Sequence, residues 1–327
     1  MKLLKKLTQT YSPSGNEGKI CEIIAEEIRD YADSITTDNM GNLIVHKKGN
    51  GKKIMLASHV DEIGILVNYI EDNGYLRFAP VGGVSPYNAL YKTVVFENGV
   101  MGTVAYEDKE GLKKGLEFSK MYIDIGAADA SEAMKLVSMG DIAVFTGDFR
   151  SNGDVVTSKA MDNRAGVYVL ISVLKKLKNT TNDLYFVFSA QEELGLRGAK
   201  TAANAICPDV GLAVDVTATG DTPNTGRMAV KLGDGPCIKL MDNSIITHKE
   251  INEALKKSAD EAGVKVQYEV LAFGGTDACA IHTSGLGVKT GAVSIPTRYI
   301  HTPCETVNMN DINGAIDVIA NFVNSNL

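Results

Sequence analysis

This sequence predicts an α/β fold, a mixed and largely parallel sheet flanked by helices, with a small β-rich module inserted in its middle. Three observations predict it. From residue 159 onward, apolar helical runs alternate with short strands of buried type, the rhythm of a sheet joined by crossover helices. Between residues 68 and 157 the runs are instead broken by turn signals such as Asp72-Asn73-Gly74 and Glu97-Asn98-Gly99, as in antiparallel hairpins. Five apolar runs also deliver a carboxylate or imidazole at or near their C-terminal ends, where open α/β sheets bind ligands.

The elements follow in order. Ser14-Gly15-Asn16-Glu17 reads as a capping box, with Ser14 accepting from the Glu17 N–H, and Ile20, Ile23, Ile24, Ile28 and Tyr31 then recur at helical spacing. Residues 43–46 and 54–58 read as strands joined by the turn Gly49-Asn50-Gly51. Within the inserted module the strands fall at 66–70, 75–78, 93–97 and 100–106, with one helix over 131–138. A helix over 166–177 and strands over 184–189 and 210–216 come next. A second capping box, Thr247-His248-Lys249-Glu250, opens another helix, and residues 313–323 form the last. The expected division is one discontinuous domain, 1–67 with 158–327, around an inserted domain, 68–157.

Composition narrows the function classes. The 327 residues are 44% hydrophobic and 22% charged, an ordinary globular balance, and the net charge of −7 disfavours nucleic acid and anionic membranes as partners. Cys21, Cys207, Cys237, Cys279 and Cys304 are scattered, without a C-x-x-C pair, which predicts reduced thiols and a cytoplasmic protein. No apolar segment follows the basic start Met1–Leu7, so neither export nor membrane insertion is expected. Tryptophan is absent, which argues modestly against a sugar cleft lined with large rings.

The five runs end in His59-Val60-Asp61, Asp162-Asn163-Arg164, Gln191-Glu192-Glu193, Asp215 and Ile300-His301. Taken singly, each has a plain reading: a surface histidine, a helix N-cap at Asp162, a solvated Glu-Glu turn. Together they offer two imidazoles and several carboxylates, a nitrogen and oxygen donor set suited to divalent metals. Asp61, at i+2 of an extended segment, lies on the side of His59 and is placed to accept its second ring proton. Two adjacent acids at the mouth of a buried strand need cations or a raised pKa; the economical division makes Glu193 a ligand and Glu192 a general base. Asp215 is otherwise a buried acid in need of a partner. Gly82-Gly83 and Gly274-Gly275 lack the spacing of phosphate loops and read as turns or cleft walls. Thr276, Asp277 and His282 either line that cleft or serve as a helix cap and a packed histidine.

The segments Ser12-Pro13-Ser14-Gly15, His59-Val60-Asp61-Glu62-Ile63-Gly64, Gly82-Gly83, Lys159-Ala160-Met161-Asp162-Asn163-Arg164, Gln191 to Ala199, Gly274-Gly275-Thr276-Asp277-Ala278 and Arg298-Tyr299-Ile300-His301-Thr302 occur in this order. In them the chain resembles, nearly end to end, the tetrahedral aminopeptidase family of co-catalytic metallopeptidases, some members of which are labelled endoglucanase or cellulase M. The resemblance implies two divalent ions per subunit, zinc or cobalt, with manganese as an alternative. It implies that Asp162 bridges both ions, that His59 and Asp215 complete one site, and that Glu193 and His301 complete the other. Glu192 is then the catalytic base and Asp61 the residue that orients His59. A cis peptide at Asp162–Asn163, a PDZ-like dimerisation module at the inserted region and a homododecameric shell are implied as well. The activity so implied is release of residues from peptides with a free N-terminus.

Other activities stay open at this stage. A glycoside hydrolase would use paired acids and leave His59, His301 and Asp215 without a task. A metal-dependent deacylase or dipeptidase would use the same ions on another amide. A non-catalytic scaffold would need none of these donors.

Overall fold

The structure, a computed structural model, describes residues 1–107 and 115–325; residues 108–114, within the expected inserted module, and 326–327 lie outside the described residues. The strands are β1 (Ser34–Thr37), β2 (Leu43–Lys47), β3 (Lys53–His59), β4 (Gly64–Ile70), β5 (Leu76–Val81), β6 (Thr93–Phe96), β7 (Met101–Tyr106), β8 (Met121–Asp124), β9 (Ile142–Phe145), β10 (Arg150–Asn152), β11 (Val155–Ser158), β12 (Asp183–Ser189), β13 (Val210–Thr217), β14 (Cys237–Met241), β15 (Gln267–Val270), β16 (Lys289–Arg298) and β17 (Glu305–Asn308). The helices are α1 (Lys2–Gln9), α2 (Gly18–Ile28), α3 (Pro86–Ala89), α4 (Ala130–Leu136), α5 (Met161–Lys176), α6 (Arg197–Ile206), α7 (Lys249–Ala262), α8 (Asp277–His282) and α9 (Met309–Phe322).

Eleven strands form one mixed sheet in the order β1-β2-β12-β3-β13-β16-β17-β11-β10, with β14 and β15 branching from β16. At its centre β12, β3, β13 and β16 run parallel. They are covered on both sides, so Phe186-Val187-Phe188 and Leu212-Ala213-Val214 are continuous apolar runs rather than alternating ones. The larger core packs α1, α2, α5, α7 and α9 against one face; Ala202, Ala203 and Ile206 of α6 with Ile281 of α8 cover the other. Side chains at the C-terminal ends of these parallel strands therefore emerge together at one edge of the sheet.

The strands β4-β5-β8-β7-β6-β9 close into a separate antiparallel barrel. Its interior is filled by Val67, Phe78, Val94, Val104 and Ile123, and β7 alternates exposed and buried residues as a barrel wall should. The expected strands of this region are present, together with β8, β9 and the short helix α3. β10 and β11 belong to the large sheet, which they join through β17.

Three local expectations fail for physical reasons. β2 and β3 do not form a hairpin, because β12 lies between them, antiparallel to β2 and parallel to β3. The sequence shows a turn, but only the burial of a distant strand decides which neighbour fills the gap. The first capping box does not form: Ser14 Oγ donates instead to Asp61 Oδ2 at 2.6 Å, and Glu17 Oε1 accepts from the Gly15 and Gln191 N–H groups. The second fails as well: Thr247 Oγ1 donates to the Lys239 carbonyl at 2.6 Å and accepts from Asn252 Nδ2 at 2.9 Å, while α7 starts where expected. The helices begin instead with Glu17 and His248 as their N-cap residues, and neither side chain caps. Among the described residues, no helix is long and apolar enough to cross a membrane.

Candidate active site

β3 ends at His59, and its register with β12 sets Ser189 opposite His59. On its other side β3 pairs with β13, Ala57 facing Ala213, so Asp215 emerges beside His59 two residues further on. The loop after β12 supplies Glu192 and Glu193, the start of α5 supplies Asp162, and the turn between β16 and β17 supplies His301. All five expected ligands and the expected base thus meet at one end of the sheet.

Asp162 sits between the two imidazoles. His59 Nε2 lies 3.1 Å from its Oδ1, and His301 Nε2 lies 3.3 Å from its Oδ2. Around His59, Asp215 Oδ1 is 3.7 Å and Glu192 Oε2 3.8 Å from Nε2; around His301, Glu193 Oε1 is 3.0 Å away. The donor atoms of His59, Asp162 and Glu193 lie within 4.8 Å of one another, as do those of His59, Glu192 and Asp215. Asp162 does not cap α5: its carboxylate turns toward His59 and His301, and Asn163 Oδ1 accepts from the Gly166 N–H at 3.1 Å in its stead. The Asp162–Asn163 peptide is cis, as the resemblance implies.

Backbone carbonyls fix the tautomers. His59 Nδ1 donates to the Asp61 carbonyl at 3.2 Å and His301 Nδ1 to the Gly83 carbonyl at 3.1 Å. With Nδ1 engaged in this way, Nε2 of each ring is the nitrogen turned toward the cluster, and its lone pair becomes available to a metal once its proton is displaced. The Asp61 carboxylate also lies 3.4 Å from His59 Nδ1, so the expected contact is present but shared with the backbone carbonyl. Asp61 has further contacts. It accepts from Ser14 Oγ and from the backbone N–H groups of Glu192 (3.0 Å) and Glu193 (3.2 Å), and so ties the acid pair to β3.

Sequence reasoning missed several contributors. Glu305, buried at the start of β17, accepts from the N–H groups of Asp162 (2.9 Å) and His301 (2.8 Å). Lys159 Nζ donates to both oxygens of buried Glu62, and Arg164 stands 3.7 Å from the same carboxylate. Gly82 and Gly83, leaving the barrel strand β5, press against the site. A Cβ on Gly83 would lie 2.6 Å from the His301 ring, and one on Gly82 would lie 2.9 Å from Glu193 Oε2. The adjacent Asp61-Glu62 and Gly82-Gly83 pairs were visible in sequence, but nothing there told which carboxylate or imidazole they touch. Thr276 both caps α8, accepting from Ala278 N–H, and lines the cleft; His282 is packed, its Nδ1 donating to the Val288 carbonyl at 3.0 Å. Asp277 is buried and accepts from Ser189 Oγ.

The electrostatics show how costly this cluster is when it must balance its own charge. Burial raises the carboxyls of Glu192, Glu193 and Asp215, in the case of Glu192 well above the usual range. Burial likewise pushes Asp277 up to about 7 and Glu305 up to about 8. Burial opposes protonation of both imidazoles, yet the acids around them prevail. His59 is raised well above its usual value, chiefly by the Glu192 charge, and His301 is raised to about 12 by Asp162 and Glu193. Burial also disfavours ionised Asp162, but the His301 and His59 contacts outweigh it and hold the acid below the usual carboxylate range. Protons on imidazoles are thus standing where cations would stand. A donor set of imidazole nitrogens and carboxylate oxygens, with an excess of buried acid, fits divalent metal ions.

The cluster forms one end of a cleft of about 690 Å³, whose other walls include Val216, Leu271, Phe273 and Ile300 with Gly274 and Gly275. Such a cleft takes an apolar or extended ligand portion beside a polar reacting end.

Comparison with known proteins agrees with this geometry. The model of the M42 glutamyl aminopeptidase family matches residues 41–318. A protein of Acetivibrio thermocellus, provisionally named an aminopeptidase, is 52% identical over 98% of this chain and 97% of its own. The solved aminopeptidase APDkam598 of the archaeon Desulfurococcus kamchatkensis superposes with a TM-score of 0.95 at 37% identity, covering 99% of this chain and 94% of that one. The TET1 peptidase of Pyrococcus horikoshii, described as able to assemble into a tetrahedron or a large octahedral shell, superposes with a TM-score of 0.89 at 37% identity, covering 98% of each chain. On this sequence, fold and cluster, the chain belongs to the M42 glutamyl aminopeptidase family of metal-dependent peptidases.

Proposed function

We propose that the cluster holds two divalent cations and releases the first residue of peptides that have a free N-terminus. The observation that carries this reading is the position of Asp162, one oxygen toward His59 and the other toward His301. In this reading Asp162 would bridge the pair, His59 and Asp215 would complete one site, and Glu193 and His301 would complete the other. When bound, such a pair polarises the scissile carbonyl and lowers the pKa of water at the site.

The chain's own residues supply the rest. Glu192 Oε2 takes a proton from the attacking water and returns it to the departing amine nitrogen, so that peptide and water become a free amino acid and a shortened peptide. Its burial supports this role, because a carboxyl with a raised pKa holds a proton long enough to pass it on. Asp61 keeps His59 turned toward the cluster and holds the Glu192–Glu193 backbone in place. The excess of carboxylates at the closed end suits a substrate α-ammonium group, and the apolar walls suit a side chain. Paired acids alone would serve a glycosidase, but would leave both imidazoles unused.

We further propose that the ions are zinc or cobalt, with manganese as an alternative. The proposed domain division keeps the expected plan, 1–67 with 158–327 around 68–157, with β4 from Gly64 counted in the barrel and β10 and β11 in the large sheet. Self-association through the barrel region builds a homododecamer; the dodecameric and tetrahedral TET1 assemblies support this. The five unbridged cysteines support a cytoplasmic location.

The test is a panel of aminoacyl chromogenic substrates, assayed with metal-stripped protein and again with zinc, cobalt or manganese. Release of amino acids should appear only with metal and stop with chelator. N-acetylated peptides should resist; hydrolysis of those, or of a β-glucan by stripped protein, would move the activity to another class. Glu192→Gln should keep both metals and lose about 10²–10⁴-fold in turnover.

A further inference from the structure

We propose that Glu305 is a positioning residue that sets the separation of Asp162 and His301, and through them the spacing of the two cations. This rests on the reading that Asp162 and His301 are ligands. Asp162 opens α5 and His301 sits in the turn after β16 with a left-handed φ of +60°, so the two come from separate parts of the chain. One buried carboxylate joins them. Glu305 Oε2 accepts from the Asp162 N–H at 2.9 Å, and Oε1 accepts from the His301 N–H at 2.8 Å.

Glu305 is itself held in place. It starts β17 and pairs with Ser158 of β11, three residues before Met161, so the large sheet fixes its backbone on the Asp162 side. Hydrogen bonds of 2.8–2.9 Å from backbone N–H groups to the two carboxyl oxygens are of full strength and directional. A planar group with two acceptors, each engaged by a different ligand-bearing segment, leaves those segments little freedom to move apart. Asp61 has the matching arrangement on the far side, where its two oxygens accept from the N–H groups of Glu192 and Glu193. The ligands are thus held from behind by two carboxylates that do not themselves face a cation.

Glu305→Gln nearly preserves shape but replaces one acceptor by an NH₂ group facing an N–H donor, which releases one of the two segments. Glu305→Ala releases both. The probe is Mn²⁺ titrated into metal-stripped full-length protein, read by bound metal per chain and by electron paramagnetic resonance. The wild type should bind two ions and show the spectrum of a magnetically coupled pair. Glu305→Gln should bind the second ion about 10- to 100-fold more weakly, as with loss of other groups that orient ligands, and shift the spectrum toward isolated Mn²⁺. Thermal melting of the metal-free variants reports the purely structural share. A variant that melts lower yet keeps the wild-type affinity and coupled spectrum overturns the proposal. If Glu305→Ala does not fold, Glu305→Gln decides alone. Asp162→Asn serves as the control for the underlying reading. Should it also keep a coupled pair, the ligand assignment itself falls, whereas its loss beside an unchanged Glu305→Gln rejects only the role of Glu305.

Discussion

At the level of single residues, the proposed metal centre sets protons and cations in competition for the same lone pairs. In the metal-free protein His301 is raised to about 12, because Asp162 and Glu193 outweigh the burial that opposes its charge. A group raised in this way contributes stability in full below the usual imidazole pKa and loses it only as pH climbs through about 12. Metal uptake must displace that proton, so apparent affinity falls as the solution is acidified. The metal-loaded protein should therefore gain on the stripped protein as pH rises from about 6 to about 9, because stabilisation grows with the ratio of free metal to Kd. Paired melting curves at fixed free metal measure the gap, and a gap that stays flat or narrows with pH contradicts proton displacement. Asp61→Asn probes the same set from behind. It removes one acceptor from a carboxylate that serves Ser14, His59 and two backbone amides. About 10- to 100-fold weaker metal binding is expected, seen by competitive titration against a chelator. The residues that meet in the cluster, His59, Asp61, Asp162, Glu192, Glu193, Asp215 and His301, were legible in the sequence because each stands at or near the end of an apolar run. Glu305 was not, since it follows Cys304 at a strand start and only the fold sets it against Asp162 and His301.

At the level of elements, the sequence disclosed what each segment is better than what it touches. β12 and β13 are legible because strands covered on both faces must be apolar throughout. The neighbour of β2 was not, since the turn at Gly49-Asn50-Gly51 is compatible with a hairpin and only long-range burial inserts β12. Ser14 is the sharper case. Its position before α2 suggested a helix cap, whereas its hydroxyl is spent on buried Asp61. Ser14→Ala should consequently leave the helical circular dichroism of α2 unchanged while weakening metal binding, because a hydrogen bond to a charged group contributes about 1.5–3 kcal/mol. Lower helicity with intact metal affinity would restore the capping role. The segment leaving β5 makes a second element-level prediction. A methyl group on Gly83 would meet the His301 ring at 2.6 Å, so Gly83→Ala must displace the ring from Asp162 and Glu193. One of two bound ions should be lost from a protein that still melts cooperatively; two ions held at wild-type affinity would show that the turn carrying His301 can yield.

At the level of the whole molecule, the barrel touches the site and also exposes apolar side chains to solvent. It sends Gly82 and Gly83 against Glu193 and His301, and Asn88 donates to the His301 carbonyl at 3.2 Å, so the barrel completes the site of its own chain. It leaves large apolar side chains in solvent around α4 and the end of β4: Tyr69 at 57%, Met134 at 60% and Met139 at 66% exposure, with Leu136 also exposed. The Gly140 N–H donates to the Val67 carbonyl, which ties the segment after α4 to β4, and Asn98 Nδ2 donates to the Leu136 carbonyl. Where exposed apolar groups are contiguous they mark association surfaces, and a stable interface needs roughly 1,200–2,000 Å² of buried area, so the proposed self-association through the barrel can be tested at α4. Met134→Glu with Met139→Glu places two charges on α4 and the segment after it while touching no residue of the site. Burying unpaired charge is costly enough to prevent assembly. Sedimentation should show the double variant as a small species, still active on a short aminoacyl substrate because each chain carries its own complete cluster. Longer peptides separate the consequences further. If a closed shell restricts entry, the dispersed variant should cleave a 30-residue peptide relatively faster than the assembled protein does, measured against the short substrate. An unchanged sedimentation profile would move the interface away from α4; dispersal with loss of activity on the short substrate would mean that assembly, and not the single chain, completes the site.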